Sequence, residues 1–158
     1  MKNYKLIWLG IFCCLQPLIL FAQRGEMIRK AFLDPKFDQV LVVAHRGNWR
    51  SAPENSVAAI DSAIQMGVDI VEIDIHKTKD GQLILMHDDR VDRTTNGKGL
   101  IKDYTLAEIK KLKLKDKDGN LTEHIVPTLE EALLAGKGQI MFNLDKAYSC
   151  LLYTSDAA

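Results

Sequence analysis

The chain has 158 residues and balances 21 basic against 21 acidic side chains, with 47% of positions apolar and 27% charged. That composition belongs to a globular protein and excludes a disordered chain. It also lacks the broad basic field with which proteins hold nucleic acid, so nucleic acid is not an expected partner.

Met1 to Lys5 carries two lysines and no acid, residues 6–21 are almost wholly apolar, and small Ala22 precedes Gln23. Those are the parts of a secretory signal peptide over residues 1–22. A retained anchor is the alternative, but spanning a bilayer takes about 20 apolar residues, and Gln16 and Pro17 interrupt this run. The expectation is a secreted or periplasmic protein with no stable membrane span after cleavage. Cleavage removes Lys2, Lys5, Cys13 and Cys14, leaving 19 basic and 21 acidic residues and Cys150 without an intrachain disulfide partner.

Gln39 to Ala44 (QVLVVA) is a β-branched apolar run suited to a buried parallel strand, and it ends at the polar segment His45 to Asn48. Asn55 or Ser56 can cap a helix running to about Met66, with Val57, Ile60, Ala63 and Ile64 on one face and Gly67 as its stop. Val68 to His76 alternates apolar and polar residues as a second strand, with Val71 out of parity. Lys79-Asp80-Gly81 is a tight turn, and Gln82 to His87 forms a third strand that again ends in polar residues.

Arg90 to Asp103 is rich in Thr, Asn and Gly, which predicts an ordered loop or small hairpin. Thr105 with Glu108 and Thr128 with Glu131 are two capping boxes, predicting helices over Leu106–Leu114 and from Leu129 through Leu134. The charged stretch Lys115 to Asn120 between them is a solvated turn. Gln139 to Asp145 is a fourth strand, with Asn143 and Asp145 on one face. Residues 147–158 have no comparable pattern and are left as an unassigned tail, for which a cloning or assembly origin is the expectation. Alternating strands and helices with polar residues at the strand ends predict an α/β protein of the (β/α)8 TIM-barrel type, truncated after about four strands in a domain over residues 23–146.

Five fragments follow one another: His45-Arg46-Gly47, Pro53-Glu54-Asn55-Ser56, Glu72-x-Asp74-x-His76, His87-Asp88 and Arg93-Thr94-Thr95-x-Gly97. Together they resemble the glycerophosphodiester phosphodiesterase family, over about Val40 to Lys146. The resemblance implies hydrolysis of a small-molecule glycerophosphodiester to an alcohol and glycerol 3-phosphate, with a divalent metal, Mg²⁺ or Ca²⁺. It assigns His45 and His87 as catalytic histidines, Arg46 to catalysis or phosphate binding, and Glu72 and Asp74 to the metal. The chemistry agrees, because a phosphodiester repels nucleophiles and has a poor leaving group, so a cation and proton transfer are both required. Glu72 and Asp74 share one side of a strand and offer the oxygen ligands that a hard cation prefers.

The family's third carboxylate lies in a Glu-x-Lys pattern, whereas this chain has Asn143-Leu144-Asp145-Lys146. Asp145 is the expected third ligand, with Asn143 as a neutral alternative. Glu54 and Asn55 are expected to order the loop and cap its helix, and Arg93 to Gly97 to shape the rim of the site. His76 and His124 are left out of the core site. Two other readings stand beside the first: a phospholipase-like phosphodiesterase of the same barrel class, and a catalytically silent fragment that binds metal or phosphate. An incomplete barrel with open strand edges predicts aggregation or dimerisation.

Overall fold

The computed structural model describes residues 24–147. The expected signal peptide and, apart from Ala147, the unassigned tail lie outside them. The elements are a helix over residues 24–33 (α1), β1 (Val43–His45), α2 (Val57–Gln65), β2 (Ile70–Lys77), β3 (Leu83–Leu85), a 3₁₀ turn (Ile101–Asp103), α3 (Leu106–Ile109), β4 (Lys113–Lys115), β5 (Leu121–Ile125), α4 (Leu129–Gly136) and β6 (Met141–Asp145). β2 is the organising strand. It pairs in parallel with β1 and with β6, as a barrel wall requires, and in antiparallel with β3.

Period-two alternation sorts β2 into two faces. Val71 and Ile73 are fully buried in a core with Ile60 and Ala63 of α2, Ala132 of α4, and Leu85 and Ile140. Glu72 and Asp74 point to the opposite face, level with the carboxyl ends of β1 and β6. α2 starts at Ser56, whose hydroxyl accepts from the Ala59 amide, so Ser56 and not Asn55 is its cap. α3 and α4 begin with complete capping boxes at Thr105 and Thr128, as the sequence predicts. α1 closes the opposite end of the parallel strands, where Arg24 donates to the carbonyls of Gly67 (2.6 Å) and Val68 (2.8 Å).

Three expectations are corrected. The third strand is not a parallel barrel strand. Thr78 accepts from the Gly81 amide (3.0 Å), and Gly81 has φ +80°. A connection this short reverses the chain, whereas a parallel neighbour needs a crossover of a dozen residues or more. The first strand is shorter than its apolar run, since Val40 and Val42 remain exposed and pairing begins at Val43 opposite Ile70. The helix expected to reach Leu114 ends at Ile109, and Lys113–Lys115 then pairs with Leu121–Ile125 around the charged turn. Leu114 is buried in a second core with Ile84, Met86, Val91, Ile101, Ile109 and Val126. Lys113 and Lys115 flank it in period two, and burial of one leucine, worth about 2 kcal/mol, supports that hairpin.

Candidate active site

Three parallel strands deliver the site side by side. The register sets His45 beside Glu72 and Glu72 beside Asn143, with Asp145 beside Asp74 one step further along. Carboxylate oxygens of Glu72, Asp74 and Asp145 lie within 4.8 Å of one another. Glu72 and Asp74 are buried and Asp145 is exposed. Burial, and then the charges of Asp74 and Asp145, push Glu72 above the usual carboxylate range against the lowering effect of an amide hydrogen bond and His45. Two buried acids and a third beside them are costly without a cation, and an all-oxygen donor set suits a hard divalent one. The residues therefore fit a hard divalent cation, with Asp145 completing the trio. Asn143 stands beside Glu72 on the same face and could add a neutral oxygen.

Each buried acid has its own support. The amide of Arg46 donates to Glu72 Oε2 (2.9 Å), a direction set by the left-handed backbone of Arg46 (φ +55°). Asp74 is held by Asn55, also left-handed (φ +54°) and 3% exposed. Asn55 Nδ2 donates to Asp74 Oδ2 (2.8 Å), and Asn55 Oδ1 accepts from the Asp74 amide (3.1 Å). β1 pairing ends at His45 opposite Glu72, so the Asn55 amide supplies the partner that a longer strand would have provided. Gly47, at φ +74°, makes this bend possible. A Cβ there would meet Ala59 Cβ at 2.8 Å and its carbonyl carbon at 2.9 Å.

Cationic and imidazole groups surround the carboxylates. Arg46 Nε lies 3.5 Å from Asp74 Oδ2, yet this buried nitrogen makes no hydrogen bond. Lys146 Nζ lies 3.6 Å from Asp74 Oδ1 and donates to the His87 carbonyl. His45 Nε2, largely exposed, is 3.9 Å from Glu72 Oε2. His87 follows β3, and its Nδ1 is 2.7 Å from Asp88 Oδ1. His76, left out of the core site by the sequence, sits behind His87, with Nε2 3.2 Å from the His87 carbonyl and 3.7 Å from Asp89. The hairpin sets His87 beside Lys146, which links its carbonyl to Asp74. His45, Arg46, Glu72, Asp74 and Asp145 lie together at the ends of β1 and β6.

Around this cluster runs a charged rim that the sequence assigned only to shape. Glu54 Oε1 accepts from Arg46 Nη1 (3.2 Å), and both Glu54 oxygens accept from Arg93 (2.8 and 2.9 Å). Burial raises Glu54, but the guanidinium groups of Arg93 and Arg46 hold it below its ordinary range. Arg93 also holds Asp88 far below the usual carboxylate range, against burial and with help from His87. Glu54 and Arg93 line a cavity of about 320 Å³ with Trp49, Thr94, Lys115 and Lys117. The proximity of Pro53-Glu54-Asn55 to His45-Arg46-Gly47 in sequence was the signal for these residues, but their contacts depend on the fold.

Comparison with known proteins decides the family. The model of the glycerophosphoryl diester phosphodiesterase family matches residues 45–149.

The chain belongs to the glycerophosphoryl diester phosphodiesterase family.

Among curated relatives, a glycerophosphodiester phosphodiesterase of Caldanaerobacter subterraneus is 44% identical over 117 residues, covering 73% of this chain and 48% of the relative. One from Bacillus subtilis is 45% identical over 137 residues, covering 79% and 43%. A solved Parabacteroides distasonis glycerophosphoryl diester phosphodiesterase superposes with a TM-score of 0.68 at 30% identity, covering 84% of this chain and 49% of that one. The chain spans about half the length of the curated relatives it matches. The neighbouring structures are TIM-barrel enzymes of this family, so the α/β fold described here is part of that barrel.

Proposed function

We propose that this protein hydrolyses glycerophosphodiesters to an alcohol and glycerol 3-phosphate, and that the described residues hold the metal and the phosphate. The observation carrying this reading is the convergence of Glu72, Asp74 and Asp145 with the Arg46 guanidinium, whose buried Nε makes no hydrogen bond. A phosphate oxygen is one acceptor that would satisfy such a donor. Support also comes from a phosphodiesterase of Oleispira antarctica, solved with the product sn-glycerol-3-phosphate, which superposes at 39% identity with a TM-score of 0.62 over 66% of this chain and 43% of that one.

Glu72, Asp74 and Asp145 would hold a divalent ion, which when bound would supply charge neutralisation at the phosphate. Arg46 would orient a non-bridging oxygen and stabilise the charge that develops there. His45 and His87 would divide the proton work: one imidazole takes a proton from the attacking water as its oxygen bonds to phosphorus, and the other gives a proton to the departing alkoxide as its P–O bond breaks. With Asp88 accepting from His87 Nδ1, Nε2 would be the nitrogen left free for proton transfer. We also infer export, on the strength of the apolar stretch at residues 6–21. Among the described residues no helix is long and apolar enough to cross a membrane.

A second reading, a chain that binds metal or phosphate without turnover, is supported by the exposure of Val43 (49%) and Leu144 (36%) on β1 and β6. One assay separates the two. Release of glycerol 3-phosphate from glycerophosphocholine is measured for the chain lacking residues 1–22, with Mg²⁺, Ca²⁺ or EDTA, beside His45→Ala. Metal-dependent turnover that His45→Ala abolishes supports hydrolysis. Metal binding by calorimetry without turnover supports the silent fragment.

A further inference from the structure

We infer that Arg93 is a positioning residue that ties the two working ends of the site together, holding Asp88 against His87 and Glu54 against Arg46. The inference rests on the phosphodiesterase reading above and adds a function for a residue outside the metal and phosphate contacts. One planar guanidinium engages two carboxylates at once. Nε and Nη2 donate to Asp88 Oδ2 (2.7 Å) and Oδ1 (3.0 Å), while Nη1 and Nη2 donate to Glu54 Oε2 (2.9 Å) and Oε1 (2.8 Å). From Asp88 the chain of contacts continues to His87 Nδ1 at 2.7 Å, and from Glu54 to Arg46 Nη1 at 3.2 Å.

The arrangement needs arginine. Two forked contacts from one side chain require donors fixed in a plane, which an ammonium cannot present. Its effect on His87 follows from proton placement: a carboxylate at Nδ1 keeps the proton on that nitrogen and the Nε2 lone pair free, provided the carboxylate itself is held. Asp88 directly follows His87 in a bend after β3, so Arg93 supplies the restraint that local geometry lacks. Glu54 and Arg93 are 39 residues apart in sequence, so the link also joins the loop after β1 to the loop after β3.

Arg93 is about half exposed and forms part of the wall of the 320 Å³ cavity, so a guanidinium ion has room to replace it after truncation. The test uses the full chain labelled with ¹⁵N at histidine, at mildly alkaline pH, and reads the tautomer of His87 from long-range proton–nitrogen correlations. Wild type is expected to carry the proton on Nδ1. Arg93→Ala should shift His87 towards the Nε2–H form, free guanidinium should restore Nδ1–H, and Arg93→Lys should not. Turnover of glycerophosphocholine should fall about 10- to 100-fold in kcat with little change in KM, and recover with guanidinium.

An unchanged His87 tautomer in Arg93→Ala overturns the proposal, because Asp88 would then hold the ring unaided. Arg93→Gln, which keeps bulk and polarity, gives the same reading should the alanine variant fail to fold. If the wild-type chain binds metal but hydrolyses nothing, the phosphodiesterase reading fails while the tautomer result still decides whether Arg93 positions His87.

Discussion

Replacing Asn55 separates what its side chain does for Asp74 from what its backbone does for the loop. Both partners of the pair are almost completely buried, at 3% for Asn55 and 1% for Asp74. Removing the amide takes away a bond to a carboxylate oxygen and leaves the Asp74 N–H without its partner. Each loss costs about 1–3 kcal/mol, so Asn55→Gly, which tolerates the left-handed backbone, should lose about 3 kcal/mol. Asn55→Ala should lose about 1 kcal/mol more, because a Cβ is disfavoured at the observed φ of +54°. Urea unfolding in EDTA measures both. Calorimetric titration with Mg²⁺ or Ca²⁺ should show affinity falling about 10- to 100-fold, as expected when the group orienting a ligand is lost. A loss below about 1 kcal/mol for Asn55→Gly with unchanged metal affinity would refute the reasoning, since it would mean that Asp74 needs no such support.

Other outcomes follow from the same geometry. Glu72 is raised above its unfolded value by burial and neighbouring acids, so its ionised form opposes folding once the pH exceeds the folded value. Glu72→Gln should therefore raise the melting temperature in EDTA at neutral pH while weakening metal binding at least about tenfold by calorimetry. Asp88 and Glu54 have the opposite sign. Their folded values lie below the unfolded ones, so the stability they add is present above the unfolded carboxylate range and is lost as pH falls through the folded values. Urea midpoints measured across that acid range should decline, and Arg93→Ala should flatten the decline. Gly47→Ala, which must fit a Cβ 2.8 Å from Ala59 Cβ, should cost about 2–3 kcal/mol in chemical denaturation.

The sequence by itself singles out most of the candidate residues, because they are announced by their immediate neighbours. His45-Arg46-Gly47, Glu72-x-Asp74 and His87-Asp88 stand out as polar groups following or alternating with apolar runs, and period two places Glu72 and Asp74 on one face whatever strand lies beside them. The helix starts were equally legible, since a capping box is closed within four residues. The end of the helix over Leu106–Ile109 is not legible in this way, because a helical start at Thr105 says nothing about where burial ends. Leu114 enters the second core from a hairpin instead.

Only the tertiary structure decided the direction of the third strand and the reach of Arg93, and it brings Asp145, already the expected ligand, to Glu72 and Asp74. The strand register sets Asp145 beside Asp74, a relation between residues 71 positions apart that no local pattern contains. Asn55 suits a helix cap because its short side chain carries an oxygen acceptor, the same atom that here accepts from the Asp74 amide. Its actual partner, Asp74, became visible only once β1 had ended one step too early to satisfy the β2 backbone. Local rules operate over a few residues through backbone geometry, whereas a site that balances buried charges is assembled across the whole chain, where packing sets the distances.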